Sequence, residues 1–243
     1  MMKSLVGLLL VFGLYTGTYA QKATKDTLTA SGNIQLTNNG VSPVPAFALN
    51  EPAVIGNYTL RKGRFYHQAI LSFAWNAKPW NTLYRFGYDV VSTDKWKLSL
   101  ASYLSFYFAR RATPLNDEEF QLQRYHDLEI YLTHLFSEKS SLTTTLWYEH
   151  SLDKVGIDNA QLFMTSYNLT DQVIFKNLHA SLGASLFYVH NAWNFQGLFV
   201  SQVVNFQIYD WKFKVFIQAT EPIPVKNMQG HFLWNTGLNF LFN

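Results

Sequence analysis

From Lys95 to Ala109 the chain alternates with period two over fifteen residues. Trp96, Leu98, Leu100, Ser102, Leu104, Phe106 and Phe108 fall on one side. Lys95, Lys97, Ser99, Ala101, Tyr103, Ser105, Tyr107 and Ala109 fall on the other. In a strand successive side chains point to opposite faces, so one face is greasy and the other polar or small. Strands of soluble sheets usually run about five or six residues. A tilted strand crossing a bilayer needs about nine to eleven. An alternating strand of this length therefore points to a membrane-spanning sheet, and a sheet in hydrocarbon must close on itself.

The pattern recurs. Tyr84, Phe86, Tyr88 and Val90 alternate with Leu83, Arg85, Gly87 and Asp89. Leu178, Ala180, Leu182, Ala184, Leu186 and Tyr188 alternate with His179, Ser181, Gly183, Ser185 and Phe187. Trp211, Phe213, Val215 and Ile217 alternate with Lys212, Lys214, Phe216 and Gln218, and Phe232 to Phe242 behaves likewise. The expected strands are 63–75, 81–91, 95–109, 121–136, 141–150, 160–169, 174–190, 195–208, 211–219 and 231–242. Aromatic residues gather near segment ends, as interfacial girdles require.

Composition agrees. Only 14% of residues are charged, against about 25% in a typical soluble domain. Hydrophobic residues make up 48% and aromatics 17%, yet mean hydropathy is −0.05. Such an aromatic load excludes a disordered chain. With no cysteine there is no disulfide framework, thiolate zinc site or lipidated cysteine. A net charge of +3 is too small to argue for nucleic acid. A soluble β-sandwich would also alternate. Strand length, few turn prolines and glycines, and aromatics opposite the lysines favour the barrel.

Met1-Met2-Lys3, the apolar run Leu5–Leu14 and Thr18-Tyr19-Ala20 read as a secretory signal peptide over residues 1–20. Ten apolar residues are too few to span about 30 Å of hydrocarbon. Residues 21–62 read as an N-terminal periplasmic arm or lumen plug, because Pro43, Pro45 and Pro52 interrupt it. Residues 63–243 form the barrel. The expected fold is all-β, a transmembrane antiparallel up-and-down barrel of about ten strands, or twelve if Thr29–Thr37 joins the wall. Connections support this, since short ones (92–94, 137–140, the 170s, 209–210) alternate with longer ones (110–120, 151–159, 221–230). Outer-membrane barrels have short periplasmic turns and longer outer loops.

The closing Asn239-Phe240-Leu241-Phe242-Asn243 resembles the aromatic C-terminal strand recognised by outer-membrane assembly machinery, although Asn243 follows the aromatic. Ser42-Pro43-Val44-Pro45-Ala46-Phe47, Leu60-Arg61-Lys62-Gly63-Arg64-Phe65, Lys78-Pro79-Trp80 and Phe232-Leu233-Trp234-Asn235 are similar to patterns in outer-membrane barrels of Bacteroidota. The resemblance implies residence in the bacterial outer membrane, with its lipid and assembly machinery as partners. It implies no particular activity.

Parity points Arg85, Asp89, Lys95, Lys97, Asp127, Glu129, Glu149, Lys212 and Lys214 into the lumen, with Asp89 opposite Lys97. Small barrel interiors are largely filled by side chains, so ion pairs packing the lumen are the plainer reading. The functional reading is a narrow, porin-like polar conduit or ligand site, or a transport-associated barrel. A scaffold subunit of an outer-membrane complex is the alternative. A lipid hydrolase would need a His base on its Ser nucleophile. Adjacent His150 and Ser151 in Tyr148-Glu149-His150-Ser151 point to opposite faces of a regular strand, which argues against an enzyme. No two of the seven histidines sit at a metal-ligand spacing, and no cofactor-binding loop is present. Asn57-Tyr58-Thr59 and Asn168-Leu169-Thr170 match a glycosylation sequon without consequence in a bacterial outer membrane.

Overall fold

The computed structural model describes residues 27–41, 48–112, 118–153, 159–192, 195–224 and 231–242. The expected signal peptide lies outside these residues. Twelve strands follow in chain order: β1 Leu28–Thr37, β2 Ala53–Lys62, β3 Phe65–Ala74, β4 Pro79–Ser92, β5 Trp96–Ala112, β6 Glu118–Ser137, β7 Ser140–Ser151, β8 Asn159–Phe175, β9 Leu178–Ala192, β10 Phe195–Ile208, β11 Phe213–Ile223 and β12 Leu233–Phe242. Each pairs antiparallel with its neighbours in sequence, and β1 pairs with β12 to close the barrel. Among the described residues no helix is long and apolar enough to cross a membrane. The wall crosses instead, with every strand edge consumed in the ladder.

Period two fixes which way the wall faces. Leu100, Leu104, Leu128, Leu132, Leu146, Phe163, Leu186, Val215 and Ile217 are exposed on the outside. Asp89, Tyr103, Tyr125, Asp127, Glu129 and Glu149, at the alternate positions, are buried. An exposed apolar exterior around a buried charged interior inverts the soluble arrangement and suits a lipid solvent. Trp96, Tyr209 and Trp211 mark the short-turn end of the exterior, and Trp75, Tyr148 and Trp234 the other. These are the two girdles.

The count of ten strands is corrected to twelve, because residues 28–37 and 53–62 are wall strands and not an arm or plug. All three prolines that argued against strands there, at 43, 45 and 52, fall in the connection between β1 and β2. Strand β2 escaped notice because the prolines just before it suggested a break, and two of its positions depart from clean alternation. Buried Ala53 sets the inward parity, so Ile55 points in while Gly56 and Lys62 share the outward side. The turn expected in the 170s is Lys176-Asn177. Strand β8 reaches it by continuing past a register shift between Leu169 and Gln172, where Asp171 takes φ of 52°. Such bulges bend a strand without ending it.

The seam that closes the barrel is narrow. A Cβ on Gly237 would lie 2.0 Å from the Leu36 carbonyl oxygen and 2.8 Å from the Phe216 ring. Only glycine lets β1 and β12 approach so closely. Inside, Tyr66 lies across its cross-strand partner Gly87, where a Cβ would meet the ring at 2.0 Å. The aromatic covers the bare backbone of the glycine.

Leu100 sits outward on β5, well inside the girdle formed by Trp96. Leu100→Arg is expected to destabilise the folded barrel by about 2–4 kcal/mol, the cost of a cation on the lipid face near the midplane. Reversible guanidinium unfolding in lipid vesicles measures it. Asp94→Arg, in the β4–β5 turn, should leave the midpoint unchanged.

Candidate functional site

Two side-chain populations fill the lumen. Tyr103, Trp147, Ala160, Leu162, Phe187, Val189 and Phe199 pack into one apolar cluster, with Phe187 and Phe199 stacked at 5.2 Å between ring centroids. This cluster blocks the side of the lumen formed by β7–β10. The remaining wall is polar. Around β1, β2 and β12 it carries uncharged groups, including Asn33 bonded to Asn239 at 3.0 Å and Thr37 bonded to Asn235. Around β2–β7 it carries charges.

Arg85 organises the charged side. Its guanidinium donates to Gln68 Oε1 at 2.7 Å and contacts the Glu129 carboxylate at 3.0 and 3.3 Å. The hydroxyls of Tyr103 and Tyr131 donate to Glu129. The guanidinium carbon lies 5.0 Å from the Tyr103 ring centroid and 5.8 Å from that of Tyr131. Both charges are mostly buried and both are multiply bonded, the condition under which a buried ion pair is tolerated.

A second cluster surrounds Asp89 nearer the short turns. Arg61 Nη1 contacts Asp89 Oδ2 at 2.6 Å, Lys97 Nζ contacts it at 3.2 Å, and Ser99 Oγ donates to Oδ1 at 2.7 Å. The residue directly opposite Asp89 is Ser99, not Lys97 as expected. A register shift between Asp89 and Val91 displaces the hairpin, and Lys97 reaches the carboxylate along the strand. Arg110 and Glu51 pair near the long-loop end, beside a connection that tucks Gly40 against Leu49 and Trp80.

Asp127 and Glu149 form a third group. They are in direct register on β6 and β7, and their carboxyl groups face each other. Ser105 donates to Asp127 Oδ2 at 2.8 Å. Among the described residues no ion pair includes either carboxylate.

Of the residues expected to line the lumen, Arg85, Asp89, Lys97, Asp127, Glu129 and Glu149 lie in these three groups. Lys214 is half-buried on β11 opposite Asn239. Lys95 and Lys212 are corrected. Both are exposed and lie outside the strands, in the connections before β5 and β11. The Lys212 carbonyl accepts from Leu241 N–H at 2.7 Å, which ties it to the barrel's end. Sequence reasoning passed over Arg61 because β2 was not recognised. It passed over Gln68, Tyr103 and Tyr131 because uncharged side chains carry no signal beyond their parity.

The outward wall holds polar pairs of its own. Ser102 Oγ and His126 Nε2 are 2.9 Å apart, and His150 Nδ1 is 2.8 Å from Asn159 Oδ1. Each pair satisfies its own polar atoms against lipid. His150 is exposed outside, whereas Ser151 is buried inside and its hydroxyl donates to the Asp153 carbonyl at 2.8 Å. The strand thus keeps the two on opposite faces. Past the end of β7, hydrogen bonds from Arg124 hold the Asp153 carboxyl below the usual carboxylate range.

The charged groups and aromatics border a cavity of about 510 Å³. It is reached by Arg85, Glu129, Glu149, Tyr103 and Trp147 from one side and by Gln35, Asn57 and Gln218 from the other.

No family model matches the sequence. No curated protein matches it either. Solved structures share the fold. A KdgM porin in complex with disordered oligogalacturonate superposes with a TM-score of 0.57 at 8% identity, over 88% of this chain and 99% of that one. An outer membrane channel from Pseudomonas putida F1 gives a TM-score of 0.52 at 11% identity, over 93% of this chain and 100% of that one. The chain has the fold of outer-membrane β-barrels.

Arg85→Met should strand Glu129 as a buried carboxylate without its cation and destabilise the barrel by about 3 kcal/mol. Arg85→Met with Glu129→Gln should recover most of the loss. A double-mutant cycle on guanidinium unfolding midpoints reads the coupling.

Proposed function

We propose that this barrel is a narrow channel of the bacterial outer membrane, and that the polar half of its lumen is the conducting path. One observation carries the reading: the cavity of about 510 Å³ lies between the Arg85–Glu129 group and the amide-bearing wall, beside and not within the apolar cluster. Were the interior only structural, apolar packing would serve better, since a buried ion pair stabilises little compared with hydrophobic residues of the same volume. The porin and channel with the same fold support the reading at the level of architecture. The resemblance to Bacteroidota barrels adds no activity to it.

The channel is narrow because twelve strands enclose a lumen partly filled by side chains, whereas porins with wide aqueous pores have sixteen or more. A lipid hydrolase built on His150 and Ser151 is disfavoured, for the pairing of His150 with Asn159 directs that imidazole away from Ser151.

Purified protein in planar bilayers should give discrete conductance steps far below those of a general diffusion porin. Glu129→Ala with Arg85→Ala removes two bulky side chains that border this cavity, and the step size should rise at least twofold. A barrel that inserts but stays electrically silent, with the double variant silent too, would sink the proposal.

A further inference from the structure

Among the described residues, the cations of the charged wall, Arg61, Arg85, Lys97 and Arg110, each have a partner. Arg85 is committed to Glu129 and Gln68, Arg61 and Lys97 to Asp89, and Arg110 to Glu51. The carboxylates do not balance. Asp127 is fully buried and Glu149 is 5% exposed, yet no hydroxyl or amide reaches Asp127 Oδ1 or Glu149 Oε1. Like charges directly opposite in a strand pair repel. A cation beside such a pair, or a proton shared within it, relieves the repulsion, and only the cation can come from a solute in the lumen. The nearby wall supplies hydroxyl donors, such as Ser105 on Asp127, but no cation in an ion pair with either group.

Glu149 borders the cavity, and aromatic rings surround it there. Trp147 precedes it on the same face of β7, and Tyr103, Tyr107 and Tyr125 line the same space. Aromatic faces attract cations through the ring quadrupole and serve in cages for ammonium groups. A cavity of about 510 Å³ falls within the range of small-molecule sites, about 300–1,000 Å³. An anion would be repelled by the carboxylates, whereas a cation is drawn both to them and to the ring faces.

We infer that the Asp127–Glu149 pair and its aromatic surround form a binding site for a small organic cation, an amine or ammonium group on a compact carbon frame. The ammonium sits against Glu149 and its carbon substituents lie on Trp147 and Tyr103. Primary amines also donate hydrogen bonds to the carboxylate oxygens, while quaternary ammonium relies on charge and ring faces alone. The site needs the lumen to be the functional surface, as in the channel reading, but does not need the barrel to conduct.

Calorimetric titration of the full-length barrel in detergent tests it, with tetramethylammonium and 1,4-diaminobutane as probes and glucose and acetate as controls. Saturable binding of at least one cation is expected, with neither control binding. Glu149→Gln relieves repulsion and keeps the shape, so the variant should fold, as circular dichroism will show. Its affinity for the cation should fall about tenfold or more, as loss of a desolvated charge partner implies. Asp127→Asn should act in the same direction, and Trp147→Leu should weaken tetramethylammonium more than the diamine. Binding of neither cation, equal binding of glucose or acetate, or unchanged affinity in both carboxylate variants would overturn the inference. A silent barrel that still binds cations refutes conduction alone; a conducting barrel that binds none refutes the site alone.

Discussion

Backbone hydrogen bonding in hydrocarbon governs this molecule. A strand in lipid has no water to satisfy its edge, and each open N–H or C=O there costs several kcal/mol. The pairing of β1 with β12 is therefore what makes the other eleven ladders possible. Gly237 matters for the same reason, since a side chain there would hold the two edge strands apart. Closure in turn decides the interior: once the wall is sealed, alternate side chains are confined to a lumen whose volume they must share.

That lumen is built from opposing demands. Apolar packing of Tyr103, Trp147, Phe187 and Phe199 braces the wall on one side. Polar groups elsewhere keep space that packing would remove. The Arg85–Glu129 and Asp89 clusters neutralise themselves, so they shape the passage without leaving a field of their own. Asp127 and Glu149 break that economy. They face each other across β6 and β7 with no protein cation in an ion pair beside them, unlike Asp89 and Glu129.

Much of the wall was legible in the chain because parity is a local property. Residues 95–109 announce β5, and the same odd positions carry Arg85, Asp127, Glu129 and Glu149 inward. The missed strands show where this legibility stops. In β2, Ile55 faces the lumen and Lys62 faces out against the parity that Asn57, Thr59 and Arg61 keep, and the nearby prolines in the connection suggested a break. Lys212 misled in the opposite way, since alternation extrapolated past the end of β11 into the connection before it.

The sequence by itself determined that the chain makes long two-faced strands, which face each residue takes and, through the alternation of short and long connections, which end of the barrel is which. These follow from the two-residue repeat of a strand and need no partner. Only the tertiary structure decided the number of strands, the seam at Gly237 and the partners of each lumen charge. Those depend on register across strands far apart in the chain: Arg85 meets Glu129 across 44 positions, and Thr37 meets Asn235 across 198. No local pattern encodes such distances. Closure sets them, because one residue of shift at the seam would turn an entire inward face toward lipid.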